Sequence, residues 1–124
     1  MIEIRVFPKE DGMALVAEGH AGMAPRGRDI VCAGVSALLY GFAAYLESLI
    51  PSETEGTPHL ECEEGDGALR LTTHGLGGAE RRGWAVVAAG LRLIEEAYPA
   101  CVRLLDGYSS ATQYEMEVKS ERYA

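Results

Sequence analysis

Four polar residues within seventeen positions have the types and spacing to do chemistry together: His20, Asp29, Cys32 and Ser36. A cysteine at the start of a helix sits where unpaired amide hydrogens and the positive end of the macrodipole favour thiolate. Asp29 directly precedes the apolar run Ile30-Val31-Cys32 and reads as the N-cap of that helix, which puts the sulfur in its first turn. His20 lies just before a Gly-containing loop and Cys32 just after it, so a compact loop brings imidazole and sulfur together. A base beside a thiol at a helix start is the minimal apparatus of a cysteine protease.

Each of these residues also has a plainer reading. Cys32 alone is a small core residue, since free cysteine is so often buried. His20 alone is a structural or surface histidine at a strand end. Asp29 is a helix cap first and an orienting carboxylate second. Ser36, one turn beyond Cys32 on the same face, fits packing or a back-bond to a carbonyl, or a hydrogen bond near the thiol. The pairing of His20 with Cys32 across the loop lifts the catalytic reading above the others. Amide hydrogens at the start of the helix, including that of Cys32, are natural donors for a tetrahedral oxyanion.

These residues need elements to hold them. Ile2, Ile4 and Val6 alternate with polar residues, Asp11-Gly12 supplies turn chemistry and residues 13 to 20 continue extended, which predicts an opening hairpin ending at Gly19-His20. Residues 21 to 28 contain two glycines, Gly22 and Gly27, and a proline; they read as a surface loop able to act as a substrate lid. Helix one is expected from about 30 to 49. Val31, Val35, Leu38, Leu39, Phe42, Leu46 and Leu49 lie on one face, and Ala33, Ala37, Gly41 and Ala44 form a second stripe suited to very close packing.

Leu60 and Cys62 alternate with glutamates and place Cys62 inward on a strand. Gly65-Asp66-Gly67 marks a tight turn and Ala68 to His74 the returning strand. Helix two follows from Ala79, with Trp84, Val87, Leu91, Ile94 and Tyr98 at helical spacing, and ends at Tyr98-Pro99. Val102 to Leu105 and Tyr114 to Val118 are short extended candidates. The order ββαββαβ predicts a single α+β domain over residues 1–124, with a mostly antiparallel sheet against two helices.

The bulk numbers bound the function. A chain of 124 residues is one domain, and a net charge of −8 repels polyanions and attracts basic segments, so nucleic acid is not expected as a direct ligand. Ile30 to Ile50 has the length of a membrane span, but Ser36, Tyr40, Tyr45, Glu47 and Ser48 favour a buried helix, and no membrane association is expected. The N-terminal residues alternate and carry no continuous apolar h-region. Three widely separated cysteines argue for reduced thiols. A cytoplasmic location is the expectation.

The segment Gly19-His20-Ala21-Gly22, Gly27, Asp29-Ile30-Val31-Cys32-Ala33, Val35-Ser36 and Leu38 resembles the signature of the ribosomal-processing cysteine protease family, often called Prp. Gly90-Leu91, Ile94 and Tyr98-Pro99 resemble the equivalent end of that family, so the likeness spans most of residues 1 to 105. Gly34, where alanine is usual in the family, and the tail after Leu105 depart from it. The resemblance implies a homodimeric protease that removes a short N-terminal extension from large-subunit ribosomal protein twenty-seven in bacteria. His20 and Cys32 match the family's dyad, and Asp29 and Ser36 its flanking polar positions. The partner is then a basic ribosomal protein precursor, and no cofactor or metal is required.

Two other classes stand beside this one. A thiol-based redox enzyme or sensor would oxidise Cys32 and would need Cys62 or Cys101 as a resolving thiol. A non-enzymatic ribosome-assembly module would bind a basic ribosomal protein through the acidic surface. A zinc site from His20, Cys32, His59, Cys62 or His74 lacks a second close pair of ligands, and Trp84 and Tyr98 fall on an apolar stripe that reads as core.

Overall fold

A computed structural model describes residues 1–25, 27–52 and 55–109. Alternation in the first residues forms β1 (Ile2–Lys9), and the turn after it returns as β2 (Gly12–Gly19). These pair antiparallel from Ile2↔Gly19 to Lys9↔Gly12, which puts Ile2, Ile4, Val6, Met13, Leu15 and Ala17 on one buried face. The chain continues as α1 (Ile30–Ser48), β3 (His59–Gly65), β4 (Ala68–His74), α2 (Gly78–Ala97) and β5 (Val102–Asp106). The expected order ββαββαβ is thus the observed one. The expected strand at Tyr114 to Val118 lies outside the described residues.

The five strands form one sheet in the order β3-β4-β2-β1-β5. Three pairings are antiparallel, whereas β5 joins β1 parallel, Ile2 opposite Val102. The parallel pair follows from α2, whose length carries the chain back along the sheet before β5 begins. Both helices lie on one face. Val31, Val35, Leu39, Phe42 and Leu46 of α1 and Trp84, Ala88 and Leu91 of α2 close the core. Removing an apolar side chain of this size fully from water contributes about 1.5–3 kcal/mol. By length and composition α1 could cross a membrane, yet its Val31, Val35, Leu39, Phe42 and Leu46 are buried in the core against the sheet.

Three details differ from expectation or extend it. The stripe Ala33, Ala37, Gly41 and Ala44 faces solvent, and close approach of the helices occurs instead at Gly34, Gly83 and Gly90. A Cβ on those glycines would meet Ile94, Tyr45 and Leu38 respectively. The reason is that the wide stripe claims the sheet, so α2 packs on the flank of α1 between the two stripes. Cys62 is exposed. It registers with buried Leu71 and so points to the helix side as alternation requires, but β3 is an edge strand that the helices scarcely cover. Trp84 anchors α2 to β5 by donating its indole N–H to Asp106 Oδ1 (3.0 Å), and Arg92 donates to Oδ2 (3.0 Å).

Candidate functional site

The end of β2, the start of α1 and the β3–β4 turn converge at one end of the sheet. They enclose a cavity of about 810 Å³, a size ordinary for a ligand cleft. His20, Gly22, Gly27, Asp29, Cys32 and Ser36 all line it. The sequence-selected residues are therefore brought to one place, and they share it with apolar Val35, Leu39 and Leu69.

Asp29 performs the capping role. Its Oδ1 accepts the N–H groups of Val31 and Cys32, each at 3.0 Å, and its Oδ2 accepts that of Met23 at 3.0 Å. One carboxylate thus ends the helix and ties the 21–28 loop to it. These donors, the Cys32 amide foremost, hold the Asp29 carboxyl below its ordinary value against the opposing effect of burial. The arrangement corrects one expectation: the Cys32 N–H is already taken by Asp29 and is not an open oxyanion donor. A carboxylate at this end also offsets part of the helix dipole that the sulfur would otherwise feel.

The sulfur has a different donor. Cys32 Sγ accepts the N–H of Ala21 at 3.3 Å, an amide hydrogen aimed at the thiol by the loop. The amide that meets the sulfur thus comes from the loop and not from the helix start. Residue-type reasoning passed over Ala21 because a backbone donor leaves no mark on side-chain identity; the Gly-His-Ala-Gly run beside it was the available signal. Ala21 itself is buried, which fixes the amide.

His20 follows the last residue of β2 and is exposed within the cleft. Gly19 donates its N–H to Gly67 O at 2.9 Å and so fastens the strand end to the β3–β4 turn. Ser36 faces the cleft as an exposed residue and is not packed in the core. Tyr40, on the same wall, lies 3.5 Å from Glu64, and burial followed by that glutamate pushes its hydroxyl's pKa up. Gly22 and Gly27 adopt φ of 75° and 86°, so the loop crossing the cleft turns at residues that reach this region without strain.

Cys62 of β3 and Cys101, just ahead of β5, do not line the cleft. Cys101 is buried before β5, while burial followed by Glu64 and Glu47 pushes the Cys62 thiol's pKa up. Among the described residues no group of three or more His, Cys, Asp or Glu side chains is placed to hold a metal. Trp84 and Tyr98 pack with the core, Trp84 against Phe42 with ring centroids 5.5 Å apart.

A thiol that accepts an amide hydrogen, an imidazole in the same cavity and apolar walls form an arrangement suited to acyl transfer. Comparison with known proteins bears on this directly. The family described as cysteine protease Prp matches residues 1–103. The ribosomal processing cysteine protease Prp of Mycoplasma pneumoniae is 32% identical over 94 residues, covering 74% of this chain and 85% of that protein. An essential ribosomal processing protease Prp from S. aureus, solved with a covalently linked product peptide, shares the fold with a TM-score of 0.71. It is 24% identical over 86% of this chain and 99% of that one. A protein from Streptococcus mutans shares it with a TM-score of 0.59 at 24% identity, over 86% and 93% of the two chains.

Proposed function

Because the chain belongs to the cysteine protease Prp family, we propose that it is an endopeptidase in which His20 and Cys32 form the catalytic dyad. The observation that carries this reading is the amide of Ala21 aimed at Cys32 Sγ, with the adjoining residue's imidazole in the same cleft. His20 takes the proton of Cys32, and the sulfur attacks the scissile carbonyl carbon, forming a C–S bond and a tetrahedral oxyanion. Collapse breaks the C–N bond, and the imidazolium protonates the leaving amine. Water, deprotonated by His20, then hydrolyses the acyl-enzyme and restores the thiol. Asp29 holds the helix start and the loop, Ser36 contributes a polar group to the wall, and the loop carrying Gly22 and Gly27 closes over the bound segment.

The substrate in this reading is the precursor of bacterial large-subunit ribosomal protein twenty-seven, cut to release its N-terminal extension in the cytoplasm by a homodimer. The net charge of −8 suits a basic ribosomal partner and disfavours direct nucleic-acid contact. The test is to incubate reduced protein with that precursor and read the products by intact mass. Wild type should release one discrete N-terminal fragment, Cys32→Ala none, and His20→Ala at a rate lower by about 10²-fold or more. An uncut precursor would remove this substrate, and cleavage by Cys32→Ala would remove the mechanism.

A further inference from the structure

The β3–β4 turn does more than close a hairpin. Its residues Gly65, Asp66 and Gly67 lie beside the strand end that carries His20, since Glu18 of β2 registers with Ala68 of β4. Gly67 has φ of 67°, the left-handed region that L side chains rarely adopt. A Cβ built there would lie 2.7 Å from His20 Nε2 and 3.1 Å from its Cε1. The imidazole therefore rests where any other residue at this position would place its side chain.

Residues 19 to 21 are held in three consecutive ways. Gly19 is pinned between Met1 and the turn: a Cβ on it would lie 2.1 Å from Met1 O, and its N–H donates to Gly67 O at 2.9 Å. His20 lies over Gly67. Ala21 donates its N–H to the Cys32 sulfur at 3.3 Å. The strand end thus fixes the backbone on both sides of the histidine, and the turn supplies the remaining constraint, a flat seat for the ring.

We infer that Gly67 is a positioning residue for His20: its missing side chain is the seat that sets the imidazole toward Cys32. The inference rests on the dyad reading and deepens it. His20 is exposed, so a ring displaced from its seat swings into solvent at little cost to the fold. A Cβ at position 67 then takes the ring off this seat and leaves the rest of the cleft in place.

The experiment follows Cys32 alkylation by iodoacetamide across pH, read by mass on the peptide containing Cys32, with exposed Cys62 resolved as a separate peptide. The variants are His20→Ala, Gly67→Ala and the two combined. The expected result is that Gly67→Ala moves the pH profile most of the way to that of His20→Ala, and that it has no further effect in the His20→Ala background. With the ribosomal precursor, kcat should fall about tenfold or more while KM stays within about threefold, since a uniform binding loss would raise KM alone.

Gly67→Asn carries the same Cβ on a residue that tolerates positive φ, and it should reproduce the profile if Gly67→Ala fails to fold. Gly56→Ala, with φ of 79° and open space around its Cβ, carries comparable backbone strain and should leave the profile unchanged. A Gly67→Ala profile like that of wild type, or an effect of equal size with and without His20, overturns the inference. A His20→Ala profile identical to that of wild type would instead overturn the dyad reading, and the seat with it.

Discussion

Gly34 lies in α1 one residue beyond the cleft residues Cys32 and Ala33, and its replacement by alanine tests whether the helix pair has room to be improved. A Cβ there would meet only the Cδ1 of Ile94, at 3.3 Å. Alanine is more favourable than glycine inside a helix by about 0.8–1.0 kcal/mol. The half-buried methyl adds some transfer free energy, at most about 0.8 kcal/mol for a fully buried group. Against this, the Ile94 terminus must shift by a few tenths of an ångström, and an off-rotamer adjustment costs about 0.5–1.5 kcal/mol. Because the contact is with the free end of one side chain, the low end applies, and the net gain is about 0.5–1 kcal/mol. With about 2.1 cal/mol/K of unfolding entropy per residue, that raises Tm by roughly 2–4 °C. Thermal unfolding followed by circular dichroism and precursor cleavage measure the two sides: Tm should rise and the rate stay within about twofold. A Tm that falls would show that α2 cannot yield at Ile94, and that the helices are locked more tightly than these distances imply.

Gly83→Ala should move the other way, since its Cβ would lie 2.4 Å from the Tyr45 ring edge and displace the hydroxyl that donates to Ala79 O; a loss of about 1 kcal/mol in urea denaturation is expected. Trp84→Phe removes the indole N–H from the buried Asp106 carboxylate, which keeps Arg92 and the Tyr108 amide; stability should fall by about 1.5–3 kcal/mol. Burial pushes the Glu80 carboxyl above its ordinary value of 4.5, opposed by the Thr73 hydroxyl bond and helped by Asp11. The native state then holds this proton more tightly than the unfolded chain, so its contribution is complete below that value and is lost as pH rises through the raised one. Glu80→Gln should flatten this decline, whose slope for one proton is at most about 1.4 kcal/mol per pH unit; an unchanged wild-type slope in urea midpoints from acid to neutral pH refutes it. Asp29 has the opposite sign: its depressed carboxyl stabilises fully above 3.8 and loses that contribution as pH falls through the lower value. Asp29→Ala should make the 21–28 loop, which it holds at Met23, more open to limited proteolysis.

Periodicity and turn chemistry carried the element order, because a strand with one buried face must alternate and a helix must repeat near every third or fourth residue. The Asp29 cap was legible for the same reason: it is a local interaction between residues two and three apart. The approach of His20 and Cys32 to one cleft followed from a short loop between them, again a local constraint. Long-range geometry decided the rest. The parallel β1–β5 pair, the flank on which α2 meets α1 and the exposure of Cys62 depend on which strand ends up at the edge, and no single segment encodes that. The donor to the sulfur is a backbone amide, and the seat of His20 is an absent side chain on a turn 47 positions further along the chain. Neither has a residue type of its own to read, since a backbone amide is the same at every residue and a missing side chain matters only where the fold sets another ring upon it.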